Sequence, residues 1–232
     1  MSHKTKIFSN SIYLLLDFAI ATLLSFAFWF ILGRILTPSE SGIVFTSLGL
    51  SSIISVFSLF GLNTALAKLI SEKQSPQKTI NLIQISFKYI LFSNIIAIII
   101  VILLNQYLAS LLKFSFIVTV FTALNIFALA FSNLSSAVLN GLQKMRKIFT
   151  TDFIGFTFKL ISLPIFVYLG FSSIGALMSL CCAFMLIFIL RAKTSWFSFK
   201  SDQGSSKILF HYAVPAFISS IASVIFSFSS LY

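Results

Sequence analysis

Acidic side chains are scarce in this chain, with five Asp and Glu among 232 residues, and histidine and cysteine are limited to two each. Cys181 and Cys182 are adjacent, which excludes an ordinary structural bridge between them. No His or acidic residue lies at ligand spacing from them, so both are read as small packing residues within a helix. His3 and His211 are isolated, so no metal site is expected, and no motif asks for a cofactor. Charged residues make up only 9% of the chain, too few to cover a soluble domain. A membrane-embedded glycosyltransferase or polymerase would need large loops outside the membrane bearing paired carboxylates or Arg and His clusters, and the external loops expected here are too short. No enzyme is expected.

What the chain has instead is apolar length: 58% of residues are hydrophobic and 29 are Phe. At about twenty residues per span, seven stretches reach across a bilayer: Ser11 to Leu32, Gly42 to Gly61, Ile85 to Leu104, Phe116 to Leu139, Ile148 to Leu169, Ile174 to Leu190 and Ala213 to Leu231. The first runs 22 residues without a small-residue cleavage site and is read as a retained helix. The net charge of +11 would point to nucleic acid in a soluble protein, but here the sixteen Lys and Arg sort by loop. With the N-terminus in the cytoplasm, thirteen fall on the inner side, from Lys4 to Lys207, and only Arg34 and Lys113 fall outside. That bias predicts a multi-pass protein of the cytoplasmic membrane, with Lys73, Arg146 and Gln203 inside and Ser39, Ser110 and Phe171 outside. No nucleic-acid partner is expected.

Two loops, Lys68 to Gln84 and Ala192 to Ser206, are longer than the rest, and the second carries the polar run Lys200 to Ser206. After it, Lys207-Ile208 and an apolar span repeat the pattern of Lys6-Ile7 and the first span, and Ile20-Ala21 then aligns with Ile221-Ala222. The expected architecture is an all-α integral membrane protein, with a six-helix bundle over residues 1–206 and a seventh helix over 207–232 that starts a second bundle.

Ionisable groups inside a bilayer cost roughly 2.5 to 3.5 kcal/mol each on insertion scales, so each one needs a reason. Lys159 stands near the centre of the fifth span, too deep to snorkel easily, and is either functional or neutralised by a neighbouring helix. Asp152 precedes it by two turns on the same face, about 10 Å away, so the two share a water-filled cavity or Asp152 sits at the interface. Asp17, in the first span, is either an ion-coupling carboxylate or an interfacial residue. Lys88 is expected to snorkel to the cytoplasm. Asn125, Ser132, Ser136 and Asn140 form a polar stripe on the fourth span, and Ser47, Ser51, Ser55 and Ser58 form another on the second. Each stripe lines a cavity or allows close helix packing, and packing is the expectation for the serines. Pro164 is expected to kink the fifth span just beyond Lys159.

Three short motifs carry a family resemblance. Leu32-Gly33-Arg34-Ile35-Leu36-Thr37-Pro38-Ser39-Glu40-Ser41-Gly42 follows the first span, Phe60-Gly61-Leu62-Asn63-Thr64-Ala65-Leu66 closes the second, and Leu139-Asn140-Gly141-Leu142-Gln143-Lys144 precedes the fifth. In order and spacing they resemble the polysaccharide transporters, relatives of the multidrug and toxic-compound extruders and of lipid-linked peptidoglycan-precursor flippases. In the first motif Gly33 and Gly42 are expected to let the chain reverse, with Pro38 stopping the helix. The resemblance implies two six-helix bundles packed as a V, opening alternately to each side, and a flippase for polyprenyl-pyrophosphate-linked oligosaccharide in surface polysaccharide synthesis. The implied partners are that lipid-linked oligosaccharide, the lipid bilayer, and a polysaccharide polymerase with other assembly proteins. Lys159, Asp152, Asn125, Asn140 and Arg34 become candidate substrate-binding residues, with Lys159 as the anion site, and Asp17 the candidate for ion coupling. The family continues through a second bundle where this chain stops, so half a transporter is expected, or a parallel homodimer. The rivals are a cation-coupled multidrug exporter and a non-transporting scaffold of an envelope-assembly complex.

Overall fold

In hydrocarbon every backbone N–H and C=O must find a partner within its own segment, and apolar runs of this length meet that demand as helices. The computed structural model describes residues 3–72, 75–193, 196 and 203–229, and among these no strand occurs. The elements are α1 (His3–Ile35), α2 (Pro38–Leu59), α3 (Leu62–Ser71), α4 (Pro76–Leu103), α5 (Asn105–Leu112), α6 (Phe116–Gly141), α7 (Met145–Phe166), a wide helical turn over Val167–Phe171, α8 (Ser172–Arg191) and α9 (Gln203–Ser229). The expected polar boundary falls partly outside this description: Lys200 to Asp202 lie outside the described residues, as does Leu231, while Gln203 already begins α9.

Several boundaries differ from the expectation for local reasons. The reversal between α1 and α2 does not use glycine freedom, because Gly33 and Gly42 both lie inside helices and neither has a positive φ. A capping box makes the turn: the Thr37 hydroxyl accepts from the Glu40 N–H, the Thr37 N–H donates to the Glu40 carboxylate at 3.0 Å, and Pro38 fills the first helical turn. The glycine that matters is Gly61. With Phe60 at φ 45° and Gly61 at φ 70°, the chain breaks α2 and restarts as the amphipathic α3. The expected loop from Lys68 to Gln84 is mostly helix, since α3 runs to Ser71 and α4 starts at Pro76, where the Ser75 hydroxyl accepts from the Lys78 N–H.

Met145 to Arg191 is apolar and helical almost throughout, yet it is not one rod. Gly170 at φ 91° and Ser172 at φ 47° turn the chain back on itself. Lys147 meets Arg191, a Cβ on Gly155 would meet Ile187, and one on Gly175 would meet Phe166, so α7 and α8 form an antiparallel hairpin. Pro164 lies in the last turn of α7, just before the wide helical turn in which Gly170 breaks the helix. Beside the hairpin, α1 runs parallel to α7: Asn10 donates to the Gln143 carbonyl, Tyr13 packs on Phe149, and Phe28 lies under Lys159.

Two apolar clusters knit the bundle. One joins α1, α2, α6, α7 and α8 through Phe28, Leu32, Val44, Val118, Leu163 and Leu177. The other joins α3, α4, α6 and α9 through Leu66, Leu69, Ile90, Phe131, Leu134 and Ala213. Large apolar side chains such as Phe18, Phe26, Phe92 and Leu103 point outward, the arrangement a lipid solvent favours. By length and composition Phe8–Ile35, Pro38–Leu59, Pro76–Leu103, Phe116–Gly141 and Met145–Arg191 reach across a membrane, which makes this a multi-pass membrane protein. The described apolar part of α9, Ile208–Ala222, is shorter. It packs on the α2–α3 break, where Phe217 stacks on Phe60 at 4.5 Å.

Candidate functional site

Lys159 lies deep in α7 and is only 5% exposed. Its ammonium sits 4.6 Å from the centre of the Phe28 ring and 4.8 Å from that of Phe156. Both rings offer their electron-rich faces, which recover part of the lost hydration of the cation. Among the described residues no carboxylate forms an ion pair with it. The ammonium borders a cavity of about 330 Å³ whose wall includes Phe28 and Trp29 of α1, Phe45 and Ser52 of α2, Leu129 of α6, and Leu180 and Phe184 of α8. Five helices therefore converge on one buried positive charge in an aromatic pocket.

Asp152 does not belong to that cavity's wall. Its carboxylate pairs with Arg191 at 2.6 Å, across the hairpin. Arg191 is 1% exposed and each nitrogen of its fork is engaged: Nε donates to the Thr151 hydroxyl at 2.7 Å, Nη1 to the Ser136 hydroxyl, and Nη2 to the Ile148 carbonyl at 3.3 Å. Lys147 in turn donates to the Arg191 carbonyl at 3.4 Å. The sequence reading placed Arg191 in a cytoplasmic loop beyond Leu190, whereas α8 carries it inside the bundle. Asp17, half-buried on α1, lies within electrostatic reach of both Asp152 and Arg191.

The other candidates scatter. Asn125 is buried between α6 and α8, donating to the carbonyls of Phe121 at 3.0 Å and Leu177 at 3.2 Å. Asn140 is exposed at the end of α6, and Arg34 is exposed at the end of α1, its guanidinium over the Phe30 ring. The stripe on α6 is thus divided, with Ser136 serving Arg191 and Asn125 serving helix packing. The stripe on α2 packs: Ser47 bonds Thr122 at 2.6 Å and Ser51 donates to the Thr122 carbonyl at 3.2 Å, bringing α2 and α6 close. At the other end of the hairpin, Ser172 donates to the Glu40 carboxylate, tying the α7–α8 turn to the cap of α2.

An all-helical membrane bundle with a cationic, aromatic-walled cavity defines the class of this protein. Solved structures share its fold: a MOP superfamily transporter from Pyrococcus furiosus whose reverse polarity of the binding pocket suggests a different function (TM-score 0.79, 16% identity), an outward-facing multidrug resistance MATE family transporter of the MOP superfamily (0.77, 19%), and a MATE in the bent conformation (0.72, 16%). Each alignment covers 97% of this chain and 54 to 55% of the other, so the chain spans about half the length of these structures. No curated protein matches it. The chain belongs to the polysaccharide biosynthesis protein family, whose profile matches residues 7–232.

Proposed function

We propose that this chain forms one bundle of a flippase that moves a polyprenyl-pyrophosphate-linked oligosaccharide across the cytoplasmic membrane by alternating access, with the N-terminus in the cytoplasm. The observation that carries the reading is the Lys159 ammonium, held at the cavity wall by two aromatic rings and no carboxylate. A cation at this depth is a standing cost unless an anion meets it. A pyrophosphate bound there would be attracted more strongly than in water, because the apolar wall lowers the local dielectric. The family match supports a role in polysaccharide export, and the shared fold supports transport. In a flippase-deficient host expressing the protein that carries this chain, Lys159→Ala should abolish surface glycan at unchanged abundance and Lys159→Arg should retain part of it. Full export by Lys159→Ala would remove Lys159 from the mechanism.

A second reading, a cation-coupled multidrug exporter, is favoured by Asp17. Arg191 already balances Asp152, so the nearby Asp17 carboxylate brings a further negative charge to this end of the bundle. Under that reading Asp17→Asn abolishes dye efflux while Lys159→Ala spares it. Under the flippase reading glycan export follows Lys159. Orientation is tested separately: with Cys181 and Cys182 replaced by Ser, a cysteine at position 146 should resist an impermeant reagent in intact cells, and its labelling would reverse the bundle.

A further inference from the structure

The α6–α7 turn holds a second cavity, distinct from the one at Lys159, of about 500 Å³. Its wall is of two kinds: Ile70, Ile83, Leu142 and Trp196 supply an apolar floor, and Lys144 and Lys193 supply a cationic rim. Trp196 is only 4% exposed, so its indole is part of the floor rather than a surface flag. Lys147 stands next to the rim, where the charges of Lys193, Lys144 and Arg191 all act on it. Four cations thus converge, and among the described residues the one ion pair in this region is Arg191 with Asp152. The first turn of α7 contains no acidic residue. Glu72, next in sequence to the lining residue Ser71, forms no ion pair with either rim lysine.

Like charges this close repel, and the fold tolerates them best where an anion is at hand. An anion in free solution would be served by an exposed basic patch and has no use for an apolar floor. A cavity with a cationic rim over an apolar floor, at the end of a membrane bundle, matches an amphiphile with a phosphate head and a hydrocarbon root. We propose that the cavity between the α3–α4 junction, the α6–α7 turn and Trp196 binds the phosphate of an anionic membrane lipid, with Lys144 and Lys193 gripping the phosphate and Ile70, Ile83 and Trp196 receiving the start of its chain. The proposal does not depend on the flippase reading, because it concerns binding alone. Two lipids carry this chemistry, a bilayer phospholipid such as phosphatidylglycerol and a polyprenyl phosphate.

Purified protein carrying this chain, in detergent, is titrated with phosphatidylglycerol and with phosphatidylcholine, and bound lipid is read by native mass spectrometry. Lys144→Gln/Lys193→Gln should weaken phosphatidylglycerol binding about twenty-five-fold, since each near-surface lysine contributes a factor of roughly five. Phosphatidylcholine should be unaffected, Lys144→Arg/Lys193→Arg should keep most of the binding, and Lys113→Gln, at an exposed lysine outside the cavity wall, should keep all of it. A double Gln variant that melts at the parent temperature and binds phosphatidylglycerol as the parent does overturns the proposal. So does equal displacement by inorganic phosphate, which would show that the apolar floor plays no part. Competition with polyprenyl phosphate then assigns the source: displacement at equal mole fraction supports a docking site for the lipid carrier, and retention of phosphatidylglycerol supports a bilayer-lipid site.

Discussion

Arg191 and Lys159 lie on the two arms of one helical hairpin, both almost fully shielded, and the fold treats them in opposite ways. Arg191 is met by a carboxylate, two hydroxyls and a carbonyl from α6 and α7. Lys159 is met by two aromatic faces and a cavity. Burial alone therefore does not distinguish the two charges, and the supply of partners does: the guanidinium is engaged at each of its nitrogens, while the ammonium over aromatic rings keeps its hydrogen-bonding capacity.

The comparison breaks most visibly at Arg191. Arg191→Ala strands Asp152 in the bundle and removes the donors that Thr151 and Ser136 face, so it should cost about 3–5 kcal/mol, read as a large drop in melting temperature in detergent. Adding Asp152→Asn should recover part of that loss, and a strictly additive double variant would show that the pair is not coupled. Arg191→Lys should recover only a fraction, since one ammonium cannot reproduce the fork. A smaller loss is expected at Gly61, where a Cβ would meet the backbone of Ala213 and Phe217 at a positive φ. Gly61→Ala should cost about 1–3 kcal/mol and separate α9 from α3, measured as lost cross-linking between cysteines placed at Phe60 and Phe217.

Lys159→Met sharpens the contrast from the other side. Replacing a cation without a carboxylate partner by an apolar chain of similar length should leave the melting temperature unchanged or raised, while under the proposed flippase reading export fails. A melting loss as large as that of Arg191→Ala would make Lys159 structural and end the distinction. The smallest effect belongs to the serine stripe: Ser47→Ala leaves Thr122 bonded to the Val118 carbonyl, so it should cost only about 0.6 kcal/mol. A larger loss would show that the α2–α6 seam depends on that hydroxyl pair.

Much of the fold was legible because the bilayer enforces it. Apolar runs that must satisfy their own backbone become helices, so helices lie near the expected spans, although only five helical stretches among the described residues are long and apolar enough to cross and the described apolar part of α9 is shorter. Some missed boundaries were readable from local chemistry: Ser75-Pro76 is a helix start, and Thr37-Pro38-Ser39-Glu40 is a capping box that needs no glycine. The candidate site was legible only in part. Lys159 stood out because a lone cation in an apolar run is costly whatever surrounds it. Arg191 did not, because at the end of an apolar run an arginine that snorkels and one that is buried read the same.

By itself the sequence determined that this is a helical membrane protein, roughly where its spans lie, and that Lys159 is anomalous, since each follows from the cost of placing one segment in hydrocarbon. Tertiary structure decided which cation is spent and which is free. Asp152 shares a helix with Lys159 but pairs with Arg191, because Gly170 and Ser172 fold α8 back along α7 and bring that guanidinium within 2.6 Å. Phe28 reaches Lys159 from a helix more than a hundred residues away because α1 packs parallel to α7. Such pairings depend on distances between helices, and those distances are set by the packing of the whole bundle rather than by any one span.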